Sequence, residues 1–214
     1  NIRGADIPCN PVTIAYAMVT ADAAYLFADE GKFKSVAVKE HLGVAGVDIY
    51  PYEDAMSTIA KHSHVGKVWI DGKSNNFALY NCVANASSVY DEPSPVTLMK
   101  ACKNLAELEA MRECHLRDGA AMAEFFADLE ESLNPNSQFA NAISEVDIDR
   151  MVCHYRTKIA QMLEPSFPTI AGVGENGAII HYCADSSNCQ IIEPSHSDGA
   201  MVLLDSGGQY IGGT

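Results

Sequence analysis

The sequence predicts an α/β layer structure over roughly its first ninety residues and an α+β arrangement over the rest. Three features carry that reading. Strand-like and helix-like segments alternate as far as Tyr90, the stretch YDEPSPV breaks the alternation, and two capped helical patterns then precede a series of short apolar runs.

The segment Val12 to Val19 alternates and is rich in β-branched and aromatic residues. After a turn at Thr20 to Asp22, Ala23 to Phe27 reads as its hairpin partner. SVAVKEHLG predicts a short helix and VDIYPY a strand. Glu53 to His62 predicts a helix, and KVWIDG a strand closed by a turn at Asp71-Gly72. The two prolines and the acidic residues of YDEPSPV place a boundary there, giving domains 1–90 and 91–214.

Beyond the boundary, Asn104 is a good N-cap, and Glu107 three residues later completes a capping-box pattern. Leu108, Met111, His115, Met122, Phe125, Phe126, Leu129 and Leu133 follow at helical spacing, and Asn134-Pro135 ends the helix. Ser144 with Asp147 starts a second helix, with Val146, Met151, Val152, Tyr155 and Ile159 on its apolar side. After Pro165 the pattern becomes β. TIAGVG and AIIHYCA flank Asn176-Gly177, a hairpin signal, and AMVLLD is the final strand.

A formal net charge of −14, spread along the chain, repels phosphate backbones and argues against nucleic acid as a direct partner. A hydrophobic fraction of 48% is that of a globular protein rather than a disordered one. Seven cysteines without a CxxC pair fit reduced thiols in the cytoplasm better than a disulfide framework. The longest apolar stretch is broken by Asp22 and is short for a membrane span. No signal peptide is recognised, and a first residue of Asn rather than Met predicts that the natural start lies upstream.

GVGENG (Gly172 to Gly177) matches GxGxxG, but a strand-like run follows it, whereas a dinucleotide site needs a helix N-terminus there. DGKS at Asp71 to Ser74 lacks the upstream glycine of a phosphate-binding loop. His181, Cys183, Cys189 and His196 do not have the spacing of a closed zinc site, so free thiols and incidental histidines are the simpler account. His62 and His64 fall at a predicted helix end, where they complement the dipole. His115 and His154 lie on or near apolar helical faces and predict core histidines. His181 and Asp205 end neighbouring predicted strands, either as a functional pair at one mouth or as unrelated residues.

SFPTIAGVGENGAIIHY followed by VLLDSGGQYIGGT closely resembles the aminopeptidase P family, pita-bread metallopeptidases related to prolidase, creatinase and methionine aminopeptidase. IRGADIPCNPVTIAYAM resembles the noncatalytic domain of the longer, eukaryotic-type form, and KNLAELEAMRECHLRDGAAM the first helix of its catalytic domain. The resemblance implies most of a creatinase-type N-terminal α/β domain followed by the first half of a pita-bread domain. It implies removal of the N-terminal residue from peptides with proline in second position, by a hydroxide bridging two divalent ions, usually manganese. Asp205 of the DSG turn is implied as a metal ligand. His181 is implied as a catalytic and substrate-contacting residue, and Phe167 as a pocket-lining one. The second, bridging Asp of the family comes eleven positions after the first, which falls two residues beyond Thr214. The expected species is therefore an inactive central fragment. Strands such as AIIHYCA and MVLLD would hold it to its missing C-terminal half, or to a second copy as a homodimer. Prolidase and a metal-free binding module are the rival readings, the first set against IRGADIPCNPV and the second against retention of Asp205 and His181.

Overall fold

The computed structural model describes residues 3–64, 66–84, 86, 88–195 and 199–214. It divides into two compact units, the first built from Asn1–Asp6 and Val12–Lys103, the second from Ile7–Pro11 and Asn104–Thr214.

In the first unit, β1 (Ala15–Val19) and β2 (Ala24–Ala28) form the expected antiparallel hairpin. Thr20 shapes its turn, its Oγ1 accepting from the amides of Asp22 and Ala23 at 3.3 and 3.0 Å. A crossover through a 3-10 turn at Glu30–Phe33 and helix α1 (Val36–Val44) brings β3 (Val47–Pro51) parallel to β2. Helix α2 (Ala55–Ser63) leads to β4 (Lys67–Ile70), then α3 (Phe77–Val83), then β5 (Ser88–Asp91), which lies parallel to β4. Asn76 caps α3 by accepting from the Leu79 amide at 2.9 Å. Phe27, Ala55, Ile59, Ile70 and Val83 form the larger core, between sheet and helices. Phe27 is completely buried, worth about 1.5–3 kcal/mol of hydrophobic transfer. Helix α4 (Pro95–Ala101) closes the unit.

In the second unit, α5 (Leu105–Leu133) begins with the predicted capping box between Asn104 and Glu107. After β6 (Ile143–Ser144), helix α6 (Glu145–Tyr155) starts on a second capping box, between Ser144 and Asp147. It runs into a π-helical turn, Arg156–Ala160, which stops at Gln161 in the left-handed region. Strands β7 (Glu164–Pro165), β8 (Ile170–Val173), β9 (Ile191–Ile192), β10 (Val202–Asp205) and β11 (Gly208–Gln209) follow. The antiparallel pairs are β7 with β11, β8 with β10, and β6 with β9. The core joins Phe125 of α5, Ile148 and Val152 of α6, and Ala171 and Val173 of β8.

Two expectations fail here. AIIHYCA does not pair with TIAGVG, because β8 takes β10 as its partner and Gly174–Ala178 is a 3-10 turn. The Gly177 backbone folds onto Gly172, where an added Cβ would lie 2.8 Å from the Gly177 nitrogen. The Asn176 side chain is drawn inward to Glu145, and Ile180 is left 86% exposed. The glycines of GVGENG thus serve this turn. His115 and His154, expected in the core, are exposed, and α5 buries Cys114, Ala121 and Phe125 instead.

Candidate active site

Asp205 closes β10 and stands opposite Ile170 in the β8 pairing. The next registered pair is Gly208 with Pro165. Between the two pairings one strand carries residues 166–169 and the other residues 206–207, so four residues face two. This is a bulge, a common way to re-aim a side chain at the end of a sheet. The Ser166 amide donates to the Gly207 carbonyl at 2.9 Å, holding the bulge together. Space at Gly207 is tight: a Cβ would lie 2.2 Å from Ser166 Oγ, which would have to turn away, and 3.5 Å from Phe167 Cε1. The Phe167 ring therefore rests against the DSG turn two residues from Asp205, which is itself exposed.

The turn after Asp205 is anchored twice. Gln209, buried, donates from Nε2 to the Cys9 carbonyl at 2.9 Å, and the Cys9 amide donates to Glu164 at 3.3 Å. Tyr210, also buried, donates its hydroxyl to Asp118 of α5. Asp118 in turn receives Arg156 Nε at 2.8 Å and Nη2 at 3.4 Å. Burial, then the Asp118 carboxylate, pushes the Tyr210 phenol well above its ordinary pKa, so it remains a donor.

His181 lies at the far end of the 174–182 turn with φ of 55°, exposed, and no hydrogen bond or ion pair among the described residues joins it to Asp205. Its neighbour Tyr182 is buried and donates to Glu145 at 2.6 Å. Glu145 is completely buried and also accepts from the amides of Val173 at 2.6 Å and Gln190 at 2.9 Å. Burial pushes this carboxyl up, but the bonds from Tyr182, Val173, Gln190 and Asn176 outweigh it and hold it below the usual range. Burial and Glu145 together push the Tyr182 phenol far up.

Among the described residues no group of three His, Cys, Asp or Glu converges as a metal site. Asp205 supplies one hard oxygen donor, and the described residues do not by themselves hold a metal ion. Cys183 and Cys189 do not gather around His181, and His196 lies outside the described residues. His62 and His64 sit at the C-terminal end of α2, as their dipole role requires, and His62 packs on Tyr25. A cleft of about 190 Å³ opens beside α6, lined by Asp149, Cys153, Pro168 and Thr169 among others, but neither Asp205 nor His181 faces it. Sequence reading missed Glu145, Asn176 and Tyr182. The signal available was an acid directly after a helix cap, ordinarily read as a dipole partner.

The first half of the chain, residues 1–107, matches the creatinase/prolidase N-terminal domain, and residues 109–214 match metallopeptidase family M24. The chain belongs to the creatinase/prolidase family of metallopeptidases. It is 41% identical over 222 residues to a Coccidioides posadasii protein named "Probable Xaa-Pro aminopeptidase P", covering all of this chain and 33% of the relative. It is 35% identical over 244 residues to "Aminopeptidase P2" of Arabidopsis thaliana, again covering the whole chain and 33% of the relative. Among solved structures, the X-prolyl aminopeptidase of Caenorhabditis elegans, described as a cytosolic enzyme with a di-nuclear active site, superposes with a TM-score of 0.84. That match has 28% identity and covers 97% of this chain and 33% of the other. The Xaa-Pro dipeptidase of Bacillus anthracis shares the fold, with a TM-score of 0.65, 17% identity, and coverage of 93% and 52%. The chain thus spans about a third of the length of the curated relatives it matches. No helix among the described residues is long and apolar enough to cross a membrane.

Proposed function

We propose that the protein containing this chain is a metal-dependent aminopeptidase that removes the N-terminal residue from peptides with proline in second position. One observation carries the reading. Asp205 closes β10 at the bulge beside Phe167, in a chain aligned over its full length with a protein named as an Xaa-Pro aminopeptidase P.

In this reading the unit that ends at Lys103 is the noncatalytic domain and the unit that begins at Asn104 belongs to the first half of the catalytic one. Asp205 is a ligand of a two-ion centre whose other ligands lie outside these 214 residues. Phe167 lines the pocket, and His181 contacts substrate and stabilises the charge that develops on the attacked carbonyl. Bound divalent ions, manganese in keeping with oxygen donors, supply Lewis acidity and a more acidic water. The rest of the catalytic domain would cover Ile180, Met201 and Ile211, which are 86%, 84% and 85% exposed in the chain alone. Seven free cysteines and the cytosolic relative support a cytoplasmic location.

The test is release of arginine from Arg-Pro-Pro by the full-length protein supplied with manganese. We expect cleavage of the tripeptide in preference to the dipeptide Arg-Pro, and none by the 214-residue chain alone. Preference for the dipeptide would favour prolidase. Cleavage by the isolated chain, with no longer species present, would overturn the incomplete-site reading.

A further inference from the structure

The buried Glu145 node lies outside the residues assigned above, and its partners converge on the turn that ends at His181. We propose that Glu145 is the positioning residue for His181, acting through Asn176 and Tyr182; this rests on the functional reading of His181 just given.

The Glu145 carboxylate is completely buried and faces neutral donors: the Val173 and Gln190 amides, Asn176 Nδ2 at 3.1 and 3.2 Å, and the Tyr182 hydroxyl. These donors come from the end of β8, from both ends of the 176–182 turn, and from the stretch before β9. Asn176 Nδ2 also donates to Tyr182 Oη at 3.0 Å, so the two ends of the turn are tied to each other and to one acid. Backbone bonds from Ile179 to Asn176 at 3.1 Å and from Tyr182 to Ile179 at 3.2 Å close the span between them. His181 is held at a positive φ that a non-glycine residue keeps only when its surroundings fix it. Its own side chain is exposed, so the fixing must come from its neighbours. Tyr182 is the adjacent anchor, and Glu145 is its nearest acceptor at 2.6 Å, ahead of the Asn188 carbonyl at 3.2 Å and Oδ1 at 3.3 Å. A carboxylate serving only the helix dipole would need neither the tyrosine nor the asparagine.

The test pairs Tyr182→Phe with His181→Ala. In the full-length protein, hydrogen exchange should show Tyr182→Phe accelerating the hydrogen-bonded amides of Ile179 and Tyr182 by about tenfold or more while the middle of α5 is unchanged. In the full-length enzyme the same variant should lower kcat by about tenfold or more with KM little altered. Adding Tyr182→Phe to His181→Ala should then cost almost nothing further, because both remove one function. Unchanged exchange at Ile179 and Tyr182, or fully additive losses, would overturn the proposal. If His181→Ala alone leaves kcat intact, the functional reading of His181 falls, while exchange still decides whether the node holds the turn. Should Tyr182→Phe fail to fold, Asn176→Ser removes the other tie and is read the same way.

Discussion

Asp118→Ala is expected to destabilise the second unit by about 2–4 kcal/mol, below the full cost for a fully buried ion pair because Arg156 is buried while the Asp118 side chain is 26% exposed. Asp118 is the acceptor for both Arg156 nitrogens and for the Tyr210 hydroxyl. Arg156 is only 5% exposed, so losing its carboxylate leaves a largely buried charge without that acceptor. The Tyr210 hydroxyl would lose its bond to Asp118 as well. Asp118→Asn keeps an oxygen acceptor but removes the compensating charge, and should fall between wild type and alanine. Urea unfolding followed by circular dichroism checks the series. A loss under about 1 kcal/mol for Asp118→Ala would show the pair to be as weak as an exposed salt bridge.

Phe125→Ala should cost a similar amount, about 3–5 kcal/mol, and its neighbour supplies the control. Phe125 is completely buried among Ile148, Val152, Ala171 and Val173, whereas Phe126, one residue on, is 51% exposed. Sequence periodicity gave both phenylalanines to one apolar face, yet adjacent residues on a helix differ by about 100°. The same unfolding measurement should find Phe126→Ala within about 1 kcal/mol of wild type. Equal losses at the two positions would contradict the packing described.

The features legible in the sequence were those governed by near neighbours. Asn104 with Glu107 and Ser144 with Asp147 announce helix starts because a capping box spans three residues. The β1–β2 hairpin and the strand ending at Asp205 follow from short-range alternation and apolar runs. Helix α3 was missed although Asn76 caps it, since seven residues are too few for a clear period.

The failures in the second unit have a different cause: long-range partners overrode local signals. Asn176-Gly177 reads as a hairpin turn, but Asn176 meets Glu145, thirty-one residues away, and the intended second strand becomes an exposed turn. The approach of Phe167 to the DSG turn depends on a register offset between two strand pairs, which no local pattern encodes. The catalytic and metal roles proposed for His181 and Asp205 rest on family resemblance, because a carboxylate at a strand end and a histidine in an exposed turn carry no chemistry by spacing alone.

The central claim is that Asp205 is a ligand of a two-ion peptidase centre in the full-length protein. The most direct measurement is the metal content of that protein and of its Asp205→Asn variant, each loaded with manganese and freed of excess. We predict about two ions per chain for the wild type, as Lewis-acid catalysis by a paired centre requires, and loss of at least one in the variant. Equal metal content in the two proteins would contradict the claim.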